Sequence, residues 1–265
     1  MQLTISQIKL FKACRQAYRL KYIERLEPVK RAEALEIGTN YHAMIEDLNN
    51  GKHPEGTSKE AAMATAYQKY IFPHFHVTAS EQVFEKEFWI DYTLKGIVDG
   101  IADDGHIVEH KTTSAEITEE YEFNLQWDEQ ILAYMFLTGR RKVWYTICRK
   151  PTIRQKQSET DEQFFERMVA WYDEGTETKI RLLEITRTDA EVEAFKTELI
   201  SIAQVIGKAQ DATMMYRNTC HCMHWGRRCE YASICLNYDP DQNYIEFQKW
   251  DADRRKEKPH GFETH

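Results

Sequence analysis

Three short runs rich in β-branched and aromatic residues lie in the middle of this chain, between segments with helical periodicity. They span residues 83–91, 94–102 and 106–112, and they are separated by Asp91-Tyr92 and by Asp103-Asp104-Gly105. Short runs of this kind, bounded by turn residues, are typical of neighbouring β-strands. The chain is therefore expected to build a β-sheet, and the remaining segments must cover that sheet.

The segments around these runs show mainly helical patterns. Apolar residues recur every three or four positions there, which predicts amphipathic helices, and two further strands are expected between them. The predicted helices span residues 4–24, 38–49, 58–71, 122–138, 161–174 and 188–210, and the predicted strands span 142–148 and 179–186. Ser6 is the expected N-cap of the first helix. This order of elements predicts a mixed α/β fold with helical additions.

Composition narrows the possible functions. The 265 residues are 42% hydrophobic and 29% charged, as in ordinary globular proteins, and no apolar stretch approaches the ~20 residues of a membrane span. The N-terminal segment has no signal-peptide core, so we expect a cytoplasmic protein without a membrane partner. The net charge is −8. Binding of nucleic acid would therefore need a local basic groove, bound metal cations, or both.

Two carboxylates and a lysine follow one another on the predicted hairpin. Nine residues separate Gly96-Ile97-Val98-Asp99 from Glu109-His110-Lys111. If Asp103-Asp104-Gly105 forms a three-residue loop with Gly105 in the left-handed conformation, Asp99 lies opposite Glu109. Alternation then places Lys111 on the same face. Hard oxygen ligands beside a lysine suit metal-assisted hydrolysis, although a solvated strand face can also carry alternating charges.

Two helical pairs could contribute to the same site. His42 and Glu46 are four residues apart on one helix face, where they could bind metal or form a simple surface ion pair. Gln130 and Tyr134 have the same spacing on a later helix. Tyr134 is of a type found more often in a core, whereas a buried Gln130 amide would require hydrogen-bond partners.

Four of the six cysteines lie within 16 residues, which favours a metal site over disulfides in a cytosolic protein. Cys220, Cys222, Cys229 and Cys235 could hold Zn²⁺ locally, with His221 and His224 in reserve. Thiolates equally suit an iron–sulfur cluster. Cys148, inside an apolar strand, is expected to be a core residue.

Taken together, these motifs resemble the PD-(D/E)xK nuclease superfamily, specifically its RecB-like branch. The order GxxxH, GxxD, ExK and QxxxY is present from Gly38 to Tyr134, with Val98-Asp99 in place of the proline–aspartate pair. The cysteines, with Cys14 far from Cys222, Cys229 and Cys235, resemble the members that hold a 4Fe–4S cluster. These include CRISPR-associated adaptation nucleases, the AddB nuclease domain and phage-type exonucleases.

The resemblance implies a restriction-endonuclease-like core, a mixed central sheet flanked by helices, with a C-terminal iron–sulfur segment. It implies a single nuclease domain over residues 1–237, including the cysteine segment 220–235, and a charged tail over 238–265. His42, Asp99 and Glu109 would bind Mg²⁺ or Mn²⁺, and Lys111 would assist the attacking water. Finally, Gln130, Tyr134 and Glu46 would orient the site, and the cluster would use Cys14, Cys222, Cys229 and Cys235.

The expected activity is metal-dependent DNA hydrolysis from an end, in recombination, repair or phage DNA processing. The protein would act in a bacterial or phage-infected cell, with DNA and a recombination or single-strand-binding protein as partners. Two alternatives remain at this stage: a catalytically idle DNA-binding or assembly subunit, and a structural zinc-binding protein. Cys220 could also replace Cys222 as a cluster ligand.

Overall fold

The computed structural model of the protein describes residues 1–29, 33–209, 214–224, 227–236 and 247–250. The chain divides into two compact units. The first unit comprises residues 1–32, 87–94 and 197–265, and the second comprises 33–86 and 95–196. Among the described residues, no helix has the length and apolar character needed to cross a membrane.

A mixed β-sheet forms the centre of the second unit. Its strands are β3 (Val77–Trp89), β4 (Tyr92–Ala102), β5 (Ile107–Thr113), β6 (Lys142–Arg149) and β7 (Ile180–Thr186). They lie in the order β4-β5-β6-β7, and β3 also pairs with β4. Strands β5 and β6 are parallel, whereas the β4–β5 and β6–β7 pairs are antiparallel. A parallel pair needs a crossover, and the chain between β5 and β6 supplies it with helices.

Helices cover both faces of this sheet. They are α3 (Glu33–Asn49), α4 (Lys59–Tyr70), α5 (Glu119–Leu125), α6 (Glu129–Thr138) and α7 (Asp161–Trp171), and α8 (Asp189–Lys208) begins in this unit. On one face, Tyr41 of α3 and Tyr67 of α4 are buried with Val108 and Cys148 of the sheet. This arrangement confirms the predicted fold class, a mixed sheet flanked by helices.

Helix α6 lies against the opposite face of the sheet and approaches it closely at Gly96. A Cβ atom at Gly96 would lie 2.6 Å from Cδ1 of Leu137 and 3.3 Å from Cε1 of Tyr134. Real Cβ atoms do not come so close to other atoms, so this contact requires a residue without a side chain. Gly96 thus sets the distance between α6 and strand β4.

The first unit gathers short elements from distant parts of the chain. They are β1 (Gln2–Thr4), α1 (Ile5–Ala13), α2 (Arg15–Tyr18), a π-helical turn (Arg19–Ile23), β2 (Leu26–Pro28), β8 (Met223–His224), β9 (Arg227–Arg228), α9 (Ala232–Leu236) and β10 (Phe247–Lys249). Strand β10 pairs with β2 in antiparallel fashion. The ring of Tyr231 stacks on Phe247, and its hydroxyl donates to the carbonyl of Leu26 at 2.9 Å.

The single helix predicted over residues 4–24 is wrong, because the chain leaves the helical conformation at Cys14. Cys14 is extended, with φ −160° and ψ 113°, and it separates α1 from α2. Its N–H still donates to the carbonyl of Leu10, so the helical spacing of apolar residues continues across the break. The N-cap is Thr4 rather than Ser6: the Thr4 hydroxyl accepts from the Gln7 N–H, and the Gln7 side chain accepts from the Thr4 N–H.

The helix predicted over residues 122–138 is also two helices. Its second part, α6, is capped by Asp128, whose carboxylate accepts the N–H of Gln130 at 3.1 Å. Such a cap requires an extended residue and therefore ends the preceding helix. Phe123 and Trp127, two apolar residues within the predicted range, are 61% and 73% exposed.

The other predicted elements agree with the structure within a few residues, with two extensions. The strand predicted from residue 83 begins at Val77, and the helix predicted from residue 38 begins at Glu33. Of the predicted charged tail, residues 247–250 are described, and Phe247–Lys249 form strand β10. The rest of the tail lies outside the described residues. The single nuclease domain over residues 1–237 stays a prediction.

Candidate functional site

The β4–β5 hairpin has the predicted register. Gly100 lies opposite Val108, and Ile101 lies opposite Ile107. The loop is closed by the Ala102 N–H, which donates to the His106 carbonyl at 2.9 Å, and Gly105 has the left-handed φ of +85°. The three-residue loop is thereby confirmed. It brings Asp99 level with Glu109.

The backbone pairing of β4 with β5 ends just before Asp99 and Glu109. The Asp99 carboxylate accepts the backbone N–H of His110 at 2.7 Å, and its other oxygen lies 3.5 Å from Nδ1 of His42. Asp99 therefore takes the place of a strand carbonyl at the point where β4 and β5 separate. From there its carboxylate can meet groups from α3 as well as from the sheet.

Glu109 is the most deeply buried of the candidate metal ligands, at 2% exposure. One carboxylate oxygen accepts from the Lys111 ammonium and from the Gln130 amide, the latter at 3.0 Å. The other oxygen, Oε2, is buried without a hydrogen-bond partner among the described residues. Burial raises the pKa of Glu109, and the charge of Asp99 adds to this effect while Lys111 opposes it. An unsatisfied buried carboxylate oxygen is costly and calls for a partner of positive charge.

Lys111, Gln130 and Tyr134 form a hydrogen-bonded chain beside Glu109. The Lys111 ammonium donates to the Gln130 carbonyl oxygen at 2.9 Å, and the Gln130 amide lies 2.6 Å from the Tyr134 hydroxyl. Burial lowers the pKa of Lys111, but the charge and hydrogen bond of Glu109 outweigh burial and raise it. Lys111 is therefore a protonated ammonium held in place by Gln130.

A small pocket in the same unit is lined by His42, Glu46, Asp99 and His110, among other residues. Burial opposes protonation of His42. The hydrogen bond and charge of Asp99, with the charge of Glu109, outweigh burial and raise the pKa of His42. Burial likewise disfavours ionisation of Asp99, yet its bond to His42 and the charge of that histidine lower its pKa. The structure thus brings His42 and Glu46 of α3 close to the two hairpin carboxylates.

His110 is a member of this site that the sequence analysis did not single out. Its ring lies 5.9 Å from the ring of His42, and its Nδ1 lies 2.7 Å from the Thr146 hydroxyl. Burial lowers the pKa of His110 to about 4, so the ring is neutral at physiological pH. The signal was its position between Glu109 and Lys111, because strand alternation turns this side chain towards the face that α3 and α4 cover.

Among the described residues, no group of three or more His, Cys, Asp or Glu side chains has the arrangement of a formed metal site. The charged groups of this site instead form ion pairs: His42 pairs with Asp99, and Lys111 pairs with Glu109. Oε2 of Glu109 is the exception. A buried, unsatisfied hard oxygen beside a second carboxylate and an imidazole fits a divalent cation such as Mg²⁺ or Mn²⁺.

A sequence model of the PD-(D/E)XK nuclease superfamily matches residues 2–72 and 52–236. The chain belongs to this superfamily. The match includes the hairpin motif, the helical pairs and the cysteine segment. No curated protein sequence matches the chain significantly.

The chain is similar to several solved structures, and the first of them shares its fold. A candidate exonuclease from Eubacterium rectale is 12% identical, has a TM-score of 0.50, and is matched over 79% of this chain and 83% of that one. A phage-related exonuclease from Haemophilus somnus is 16% identical over 74% of this chain and 95% of that one, with a TM-score of 0.38. An alkaline exonuclease from Laribacter hongkongensis is 17% identical over 77% and 97%, with a TM-score of 0.30.

The remaining candidate residues of this superfamily member lie in the first unit. Cys14, Cys222, Cys229 and Cys235 line one small cavity, which we call the cysteine pocket. Burial raises the pKa of the Cys235 thiol, and the charges of the other three cysteines raise it further. The break at Cys14 positions its sulfur here, where it accepts the backbone N–H of Asn218 at 3.4 Å.

The other cysteines lie elsewhere. Cys220 is exposed and does not line the cysteine pocket. Cys148 is buried in the sheet, where burial raises the pKa of its thiol to about 12, as for a core residue. His221 does line the pocket, whereas the side chain of His224 lies outside the described part of the structure.

Proposed function

We propose that this superfamily member is a divalent-metal-dependent deoxyribonuclease. The observation that carries the proposal is Oε2 of Glu109, a buried carboxylate oxygen without a partner among the described residues, next to Asp99 and His42. In a purely structural ion pair, protein groups would bind both carboxylate oxygens. In a cation site, one oxygen is left for the metal ion, as Oε2 of Glu109 is here.

Each residue has a proposed role. His42, Asp99 and Glu109 would hold Mg²⁺ or Mn²⁺, which when bound supplies an activated water and neutralises charge on the phosphate. Lys111 is protonated, and its ammonium can hold the attacking water or stabilise a phosphate oxygen as charge develops there. Gln130 fixes both Lys111 and Glu109 through its amide.

The outer residues of the site would keep these groups in place. The Tyr134 hydroxyl contacts the Gln130 amide, so it fixes the amide orientation. Glu46 lines the pocket beside His42 and adds negative charge that favours a cation. His110 fixes Asp99 through its backbone N–H.

We further propose that hydrolysis proceeds from DNA ends. The structure from Eubacterium rectale that shares this fold is described as a candidate exonuclease, and this description supports the assignment by analogy. In the cell, the enzyme would act in recombination, repair or phage DNA processing, in the cytoplasm of a bacterium or a phage-infected host. A recombination or single-strand-binding protein would be its partner.

The decisive experiment compares end-labelled linear DNA with closed circular DNA, in Mg²⁺, in Mn²⁺ and in chelator. We expect metal-dependent release of nucleotides from linear DNA, and its loss in Glu109→Gln. The matched control is Glu162→Gln, which alters an exposed carboxylate on α7 and should leave hydrolysis unchanged. DNA binding without hydrolysis would establish the alternative of an idle DNA-binding subunit. Rapid nicking of circles would establish an endonuclease.

For the cysteine pocket, we propose a structural 4Fe–4S cluster bound by Cys14, Cys222, Cys229 and Cys235. Four thiols that line a single cavity form a donor set suited to such a cluster. Zn²⁺ could bind the same thiols, but the local zinc site of Cys220, Cys222, Cys229 and Cys235 would leave out Cys14. The cavity lining, which includes Cys14 and not Cys220, favours the cluster set.

Metal content distinguishes these possibilities. Protein prepared anaerobically should be brown and contain about four irons per chain. Cys14→Ser should lose the colour, while Cys220→Ser serves as the matched control and should retain it. A colourless protein that holds one zinc, with or without Cys14, would instead establish the structural zinc alternative at the C-terminal cysteines.

A further inference from the structure

Two large aromatic side chains project into solvent at the junction between α5 and α6. Phe123 is 61% exposed and Trp127 is 73% exposed. Their ring centroids are 6.3 Å apart, with an angle of 73° between the ring planes. Exposed aromatic pairs of this size are unusual on a folded surface and commonly mark a binding site.

The junction that carries these rings is held firmly. The guanidinium of Arg187, at the end of β7, donates to the carbonyl and side-chain oxygens of Gln126. The guanidinium of Arg181 forms a 2.7 Å ion pair with Glu122 of α5. The exposure of Phe123 and Trp127 is therefore a feature of an anchored segment, since the chain is held directly before Phe123, at Glu122, and directly before Trp127, at Gln126.

The aromatic pair is continuous with the proposed catalytic residues. Asp128, which follows Trp127 directly, caps α6, and Gln130 then reaches Glu109 and Lys111. On the other side of the pair, the Tyr121 hydroxyl lies near Thr113 and Lys111. Three residues of chain span at most about 10 Å, so Trp127 stands within one nucleotide or two of Gln130.

The charges around the pair identify which part of a nucleic acid could bind there. Helix α5 carries two exposed carboxylates in its first turn, Glu119 and Glu120, whereas Glu122 is paired with Arg181. The two exposed carboxylates disfavour the binding of a phosphate backbone at this place. A nucleobase is uncharged and offers a flat π-surface, which aromatic side chains bind by stacking with little dependence on sequence.

We propose that Phe123 and Trp127 form a stacking platform for an unpaired nucleobase of the DNA strand that is cleaved. The proposal rests on the proposed nuclease function and deepens it. A base held on the platform would position the adjoining phosphate at Glu109 and Lys111. The two aromatic residues are positioning residues, and the strand they favour is single-stranded or frayed at its end, because a base inside a duplex has both faces covered by its stacked neighbours.

The test uses end-labelled single-stranded oligonucleotides, one with normal bases and one with abasic residues at the terminal positions. Trp127→Ala should raise KM for the normal oligonucleotide about 10-fold, with kcat within two-fold of wild type. Trp127→Phe should restore most of the lost affinity. On the abasic oligonucleotide, wild type and Trp127→Ala should have the same KM. Phe123→Ala should behave like Trp127→Ala.

The matched control is Ile90→Ala, which removes an apolar side chain of equal exposure, 73%, elsewhere on the surface. It should change neither KM nor kcat. Equal KM values for wild type and both aromatic variants would overturn the platform, and would leave the pair as a surface for a partner protein. A lowered kcat on both oligonucleotides would also overturn it, since that result indicates damage to Gln130.

Failure of the nuclease function is separable from failure of the platform. If the wild-type protein cleaves neither oligonucleotide, the proposed function fails. The fluorescence anisotropy of the labelled oligonucleotides then still measures binding. Weaker binding of the normal oligonucleotide by Trp127→Ala, with no change for the abasic one, would support the platform. Equal binding by wild type and Trp127→Ala would refute it.

Discussion

The carboxylate site of the second unit and the cysteine pocket of the first unit handle buried metal-ligand chemistry in opposite ways. In the carboxylate site, oppositely charged groups balance one another: Lys111 pairs with Glu109, and His42 pairs with Asp99. The uncharged Gln130 amide adds a hydrogen bond to Glu109. In the cysteine pocket, burial raises the pKa of Cys229 and Cys235, so these thiols remain uncharged. Neutral thiols pack as small apolar groups, whereas buried carboxylates cannot.

Because of this difference, a bound metal is expected to affect activity at the carboxylate site and stability at the cysteine pocket. The carboxylate site can remain folded without a cation, because protein groups already balance most of its charge. The cysteine pocket gains its strong bonds only when thiolates bind a metal group, and those bonds would join Cys14 to residues more than 200 positions away. If the proposed function is right, a cation would be required for catalysis, whereas the proposed cluster would be required for stability.

The largest expected effect concerns the carboxylate site. Asp99→Asn should reduce hydrolysis at least ~10²-fold, because it removes the charge that binds the cation. The amide oxygen can still accept the His110 N–H, so the variant should fold, and the midpoint of thermal unfolding should fall only by the effect of losing the ion pair with His42. The control is Asp161→Asn at an exposed position on α7. Full activity in Asp99→Asn, measured beside an inactive Glu109→Gln sample, would contradict the assignment.

Selective removal of metals tests the comparison directly. Dialysis against EDTA should abolish hydrolysis while leaving brown colour and thermal unfolding unchanged. Oxidative loss of iron should lower the unfolding midpoint, because it releases a constraint that closes a loop of about 200 residues. Calorimetry of the two preparations provides the measurement. An iron-free protein with unchanged unfolding would remove the structural role of the cluster.

A substitution at Gly96, where α6 contacts strand β4 closely, should have an effect of intermediate size on stability and activity. Gly96→Ala should destabilise the protein by ~1–3 kcal/mol and reduce kcat, because the new methyl group displaces Leu137 and Tyr134. Gly38→Ala is a suitable control, since its nearest neighbour would be Thr112 Oγ1 at 3.4 Å and alanine favours the helix there. Denaturant unfolding of both variants measures the difference. Equal stability of the two would show that α6 moves freely.

The smallest expected effect is the pH dependence of thiol alkylation in cluster-free protein. A raised pKa means that Cys229 and Cys235 bear thiolate only at a higher pH than ordinary cysteine. Their reaction with iodoacetamide should therefore reach half its maximal rate at a higher pH than that of a cysteine peptide. Mass spectrometry of the modified peptides gives both values. A lower pH for the protein thiols would mean that cations already stabilise their thiolates.

The sequence predicted the hairpin well because its determinants are local. The spacing between Asp99 and Glu109 and the glycine at position 105 were sufficient to predict the register, which the structure confirms. The end of the ladder at Asp99 was not predictable, because it depends on a side chain replacing a strand carbonyl. His110 was overlooked for a related reason: its role depends on groups of α3 and β6 that lie far away in the sequence.

The helix predictions failed where single residues override periodicity. The apolar spacing across Cys14 continues through one extended residue, and the spacing across Asp128 continues through a cap. Periodicity averages over many residues and cannot detect either break. Both breaks have consequences for the candidate sites, since one turns Cys14 towards the cysteine pocket and the other exposes Trp127.

The pairing of β10 with β2 has a consequence for how the chain folds during its synthesis. Residues 26–28 leave the ribosome more than 200 residues before their partners at 247–249. The second unit, by contrast, is fully translated once residue 196 has been added. Because domains fold as units while the chain grows, we expect residues 26–28 to remain without their partner strand until translation reaches residue 249.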